Sequence, residues 1–247
     1  MNLKWIMIGI LFGLIASACV PSLPTGTPTP LPPTPTPAPR QITFTAPDGA
    51  SLEGVLHGSG DVAVIFSVMG NCKRGWDDMA DIVAQNGMTA LTYQWRGCRD
   101  SGSVDEDEIQ KFVDDLRGAI TFMRAQGAKK VILAGASLGG CASAKLAVES
   151  QADGLIVIAS PPEISQWEFS IEAADVDSNI PKLFITAEND DTVPSEKTRQ
   201  LFDLAAEPKE WLTYPGTSHG TDLFEGDNGE AVQGRILEFI LAVVTAP

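Results

Sequence analysis

The segment Gly135-Ala136-Ser137-Leu138-Gly139 stands directly behind the apolar run Val131-Ile132-Leu133-Ala134 and leads into Cys141 to Val148, which reads as helix. A strand that turns sharply into a helix brings its two arms close together. The turn strains the serine backbone, so the positions two residues either side must carry almost no side chain, which glycine provides. Strand, G-x-S-x-G and helix in that order are the context a nucleophile elbow requires, with the serine hydroxyl presented at the end of a strand.

The rest of the chain alternates. Strands are expected over 41–46 and 52–56 around Pro47-Asp48-Gly49, then over 62–66, 88–93, 131–134, 155–159, 183–186 and 210–213. Helices are expected over 76–85, 109–125, 141–148, 195–205 and 231–243. An initial hairpin followed by strand–helix alternation predicts an α/β fold, with a mostly parallel central sheet and helices on both faces. Functional side chains then belong at the carboxyl ends of the strands, where Ser137, Asp190 and His219 fall.

A serine hydroxyl needs a base within hydrogen-bond reach and an acid to orient that base. The chain has two histidines. His57, in Val55-Leu56-His57-Gly58-Ser59-Gly60, precedes the serine and reads as a solvated turn residue. His219 lies beyond the serine in the small-residue loop Tyr214-Pro215-Gly216-Thr217-Ser218-His219-Gly220. Between serine and His219, the strand Lys182-Leu183-Phe184-Ile185-Thr186-Ala187 runs into Glu188-Asn189-Asp190-Asp191-Thr192-Val193-Pro194.

These residues resemble the α/β-hydrolase superfamily, in which serine, acid and histidine follow in that order and a late strand ends in Asp, three residues, then Pro. Asp190 matches the acid position and Asp191 falls one residue late. Trp95-Arg96-Gly97-Cys98-Arg99-Asp100-Ser101-Gly102-Ser103 resembles the superfamily's Asp-x-Arg-Gly-x-Gly-x-Ser loop, whose role is structural. Dienelactone-hydrolase-like and serine-aminopeptidase-like groups look nearest. The resemblance implies an α/β-hydrolase fold over 41–247 and a catalytic set of Ser137, Asp190 and His219. It implies oxyanion donors at the backbone N–H of Leu138 and of either Met69 or Gly70, in Ser67-Val68-Met69-Gly70-Asn71-Cys72. In the superfamily this loop commonly carries His-Gly, for which Val68-Met69 stand here. Residues 160–181 leave room only for a minimal lid, with Trp167 and Phe169 as candidates for lining an acyl pocket or for packing on the sheet edge. The implied activity is hydrolysis of small-molecule carboxylic esters without a cofactor. The alternatives are an amidase, peptidase or thioesterase with the same residues, or a non-catalytic surface-anchored binding domain.

Composition bounds the partners. Lys+Arg number 17 against 32 Asp+Glu, a net charge of −15, which argues against nucleic acid and against electrostatic attachment to an anionic membrane. The run Asp105-Glu106-Asp107-Glu108 suits a helix N-terminus better than a metal site. Residues 1–18 read as an export signal, with Lys4 ahead of the apolar stretch Trp5 to Ile15 and with Ala16-Ser17-Ala18 before Cys19. This junction resembles a bacterial lipobox and marks Cys19 for lipidation. Residues 19–40, rich in Pro and Thr, read as an extended tether after a lipid anchor. Export exposes Cys72 and Cys98 to oxidising conditions, and a disulfide between them is expected because they follow neighbouring strands, while Cys141 reads as a buried thiol. The domain is expected to be monomeric and surface-held, or secreted if cleavage follows Ala18.

Overall fold

The computed structural model describes residues 36–72, 74–98 and 104–246. Residues 1–18, read above as an export signal, Cys19 and most of the Pro/Thr-rich segment lie outside these residues.

Strands β1 (Arg40–Thr45) and β2 (Ser51–Gly58) form the expected hairpin, with Phe44 opposite Leu52. Then follow β3 (Val62–Ser67), helix α1 (Asp77–Gln85), β4 (Thr89–Tyr93), the short helix α2 (Glu106–Ile109) and α3 (Phe112–Ala125). Next come β5 (Lys130–Ala136), α4 (Leu138–Leu146) and β6 (Gly154–Ile158). A small hairpin of β7 (Glu163–Ile164) and β8 (Phe169–Ser170) precedes α5 (Ala173–Val176). The chain closes with β9 (Lys182–Ala187), α6 (Ser195–Leu204), β10 (Lys209–Tyr214) and α7 (Gly229–Thr245).

Eight strands make one sheet in the order β1-β2-β4-β3-β5-β6-β9-β10. The β1–β2 and β2–β4 pairs are antiparallel and every other pair is parallel. Successive side chains of a strand point to opposite faces. Every residue of β3, β4, β6 and β9 is nonetheless buried, so helices cover the sheet on both sides. Register brings Ser67 beside Gly135 and Ala136 beside Ile158, which sets the ends of β3, β5 and β6 side by side.

The loop after β4 is fixed by charge. Arg96 Nε donates to Asp115 Oδ1 at 2.6 Å, and the Arg96 backbone N–H donates to Oδ2 at 2.8 Å. The same guanidinium pairs with Asp48 in the β1–β2 turn and pulls that carboxyl down to about 2. Burial pushes the Asp115 carboxyl up, against the hydrogen bonds from Arg96. One arginine thus joins the hairpin turn, the β4 exit and α3.

Two expectations change, and one element is added. The single helix expected over 109–125 is two helices, parted at Gln110 and Lys111, and both Ile109 and Phe112 point into the core. The acidic run belongs to the shorter one, where Asp105 Oδ1 accepts from the Glu108 N–H at 3.2 Å. His57 is not a solvated turn residue: it sits within β2, 4% exposed, with Nδ1 2.7 Å from Asp81 Oδ1 of α1. An imidazole on a sheet face covered by α1 is buried whatever the turn signals that follow it. The β7–β8 hairpin was not anticipated, because two-residue strands carry no periodicity.

Asp115→Ala leaves the nearly buried Arg96 without its main partner. The expected loss is about 3–5 kcal/mol of unfolding free energy in urea titrations. A loss below about 1 kcal/mol would show that this pair does not hold the loop.

Candidate active site

Ser137 has φ 52° and ψ −119°, a left-handed backbone that a side-chain-bearing residue adopts only under constraint. The constraint comes from the glycines. A Cβ on Gly135 would stand 2.1 Å from the Gly139 carbonyl oxygen, and one on Gly139 would stand 2.2 Å from the Ser67 carbonyl oxygen. The turn is held by backbone bonds, Ser137 N–H to Ile158 O at 2.8 Å and Cys141 N–H to Ser137 O at 3.0 Å. Ser160 Oγ donates to the Ser137 carbonyl at 2.9 Å and closes it from the β6 side.

Asp190 follows β9, and its side chain is fully buried. Oδ1 accepts the N–H groups of Thr192 at 2.9 Å and Val193 at 2.8 Å. His219 Nδ1 lies 2.9 Å from Oδ2 and 3.1 Å from Oδ1. A carboxylate only accepts, so Nδ1 carries the hydrogen and Nε2 keeps its lone pair free. Asp191 is exposed and its Oδ1 accepts from Thr192 Oγ1 at 3.1 Å. The loops carrying Asp190 and His219 are zipped together by Glu188 N–H to Tyr214 O, Asn189 N–H to Gly216 O and Asp191 N–H to Thr217 O. No hydrogen bond joins Ser137 Oγ to His219, but the histidine loop reaches the end of β5, where a Cβ on Gly220 would stand 3.4 Å from Ala136 Cβ.

The loop after β3 is the third component. Trp76 Nε1 donates to the Ser67 carbonyl and Trp95 Nε1 to the Val68 carbonyl, each at 3.0 Å. Cys72 N–H donates to Met69 O at 2.9 Å, and a disulfide joins Cys72 to Cys98 with the Cα atoms 5.7 Å apart. The Met69 side chain fills the space under Gly220, where a Cβ would stand 2.4 Å from its sulfur. With the loop so held, the N–H groups of Met69, Gly70 and Leu138 have no acceptor among the described residues. Gly70 packs against Leu138, a Cβ there standing 3.2 Å from Leu138 Cδ2. The sequence reading overlooked the two tryptophans as positioning groups. Their signal was available, since an indole N–H in a core needs an acceptor.

Ser137, Leu138 and Gly70 open onto a cavity of about 470 Å³. Its apolar lining includes Cys141, Ile164, Trp167 and Val193. Trp167 therefore faces the cavity, while Phe169 packs on Phe112 with ring centroids 5.1 Å apart. Cys141 is a free, fully buried thiol that burial pushes far up from its ordinary range. Among the described residues no group of three or more His, Cys, Asp or Glu is arranged to hold a metal ion. No helix among them is long and apolar enough to cross a membrane.

Residues 62–170, from β3 through β8, match the family model described as serine aminopeptidase, S33. Among curated proteins the chain is similar to the uncharacterized protein YfhR of Salmonella typhimurium, 24% identical across 83% of this chain and 82% of that one. Its Escherichia coli counterpart is 23% identical across 82% and 81%. Among solved structures, the esterase domain of a Rhodothermus marinus protein superposes with a TM-score of 0.63 at 18% identity, covering 83% of this chain and 98% of that one. XC6422 of Xanthomonas campestris, described as an α/β serine hydrolase without lid, superposes at 0.61 with 22% identity, covering 89% and 100%. The chain has the α/β-hydrolase fold. The part that matches the S33 model carries Ser137 and the loop after β3, and Asp190 and His219 lie beyond it.

Alkylation of the native, unreduced protein is expected to spare Cys72, Cys98 and Cys141, and denaturation without reduction should expose Cys141 alone among the three. Free labelling of Cys72 and Cys98 before reduction would exclude the bridge.

Proposed function

We propose that this protein is a serine hydrolase that cleaves carboxylic esters of small acyl groups. The observation that carries the reading is the buried Asp190–His219 pair, on a loop whose Gly220 packs against Ala136 beside the strained Ser137. Ser137 Oγ attacks the ester carbonyl and His219 Nε2 takes its proton. The oxyanion is received by the N–H of Leu138 and by the Met69–Gly70 segment, whose donors are otherwise unused. His219 then returns the proton to the departing alcohol. The acyl-enzyme is cleared by water that His219 deprotonates in turn. The contact between Ser137 and His219 closes when substrate binds, as free enzymes commonly hold such contacts long.

The cavity, about 470 Å³, is large enough to receive a small-molecule ester with its acyl group next to Trp167 and Ile164. A second reading, aminopeptidase action through the same residues, is favoured by the S33 family match. The residues before the domain support a lipid tether at Cys19 outside the cytoplasm, and a disulfide such as Cys72–Cys98 suits an oxidising compartment.

A panel of p-nitrophenyl esters and aminoacyl p-nitroanilides separates the two chemistries. Acetyl and butyryl esters are expected to be hydrolysed fastest, and anilide cleavage without esterase activity would favour the peptidase. Ser137→Ala is expected to lose several orders of magnitude in kcat. Asp190→Asn, which would hold the wrong imidazole tautomer, should lose up to ~10⁴-fold with the fold intact. Asp191→Asn should change kcat by less than about tenfold. The reverse ranking would move the acid to Asp191.

A further inference from the structure

One wall of the cavity is formed by the segment from Pro161 to Trp167, which includes β7, and another by Thr192 to Pro194 with Lys197 of α6. The hairpin is anchored through β8 and the turn before it. Phe169 and Trp167 rest on Phe112, and Lys145 Nζ donates to the Ser170 carbonyl at 3.0 Å. On β7, opposite Ser170, Glu163 Oε1 is reached by Lys197 Nζ at 3.4 Å. Among the described residues this is the one side-chain hydrogen bond between the hairpin and α6. Both partners also line the cavity.

We propose that the Glu163–Lys197 ion pair ties these two walls together and so limits the acyl size that the cavity admits. The proposal rests on the ester-hydrolase reading above. The tie is weak by construction. Its side chains are 43% and 55% exposed, so the pair gains little over hydration and is screened by salt. A weak tie between a two-residue strand and a helix adjusts the width of the cavity without contributing to the stability of the sheet. Neutralising either partner leaves no buried charge behind, so the fold tolerates it. Each single variant removes the side-chain link from β7 to α6, while the anchors at Phe112 and Lys145 stay in place.

The test is the ratio of kcat/KM for decanoyl over butyryl p-nitrophenyl esters. Glu163→Gln and Lys197→Met are each expected to raise it about twofold, and the charge swap Glu163→Lys with Lys197→Glu to bring it back near the starting value. About 0.5 M NaCl should raise the ratio in the parent protein and leave the single variants unchanged. A second measurement needs no turnover: calorimetric affinity for methyl decanoate relative to methyl butyrate, in a Ser137→Ala background. Lys197→Met is expected to shift that affinity ratio about twofold as well. A shifted affinity ratio in a protein that hydrolyses no ester would uphold the tie and overturn the hydrolase reading. An unchanged affinity ratio overturns the tie, whatever the turnover.

Discussion

The close approach of three backbone segments governs this molecule. The end of β5 turns into α4 directly against the end of β3, with Gly135 facing the Gly139 carbonyl and Gly139 facing the Ser67 carbonyl. No side chain fits at either glycine. The strain sits in Ser137, whose positive φ costs about 1–3 kcal/mol and is repaid by backbone bonds to Ile158 and Cys141 and by Ser160. The same approach sets Leu138 beside Gly70, so one packing constraint both exposes the serine and gathers the unused N–H donors next to it.

The remaining parts are arranged around that turn by pairwise restraints between loops. Two indole N–H groups and a disulfide fix the loop after β3. Three backbone bonds fix the Asp190 loop to the His219 loop, and two backbone donors hold Asp190 in addition to His219. Met69 packs beneath Gly220 and links the first loop to the last. Arg96 performs the same service lower in the fold, joining the hairpin turn to α3. Burial makes these polar ties matter, since a buried donor or carboxylate without its partner is expensive.

The sheet was legible because its strands are apolar runs and its helices have a regular period, and both signals survive in sequence. Ser137, Asp190 and His219 were legible for a different reason. The chain order and the spacing of Asp190 to Pro194 single them out before any coordinates, and the structure brings Asp190 to His219 while leaving Asp191 in solvent. What was hidden depends on tertiary contacts. His57 followed by Gly-Ser-Gly looks like a turn residue until α1 is laid over its face. The break at Gln110 is invisible because Ile109 and Phe112 keep a helical spacing across it. The β7–β8 hairpin and the carbonyls accepting from Trp76 and Trp95 require the third dimension. Residues 1–35, which carry the reading of export and lipidation, lie outside what the structure describes.

The proposed chemistry requires the strained serine at the end of β5 to be a nucleophile activated by His219. Treatment of the purified protein with a fluorophosphonate probe, followed by peptide mass spectrometry, tests it most directly. The expected result is a single covalent adduct on Ser137 that does not form in His219→Ala or in protein heat-denatured before treatment. An unmodified Ser137, or an adduct on another serine, would contradict it.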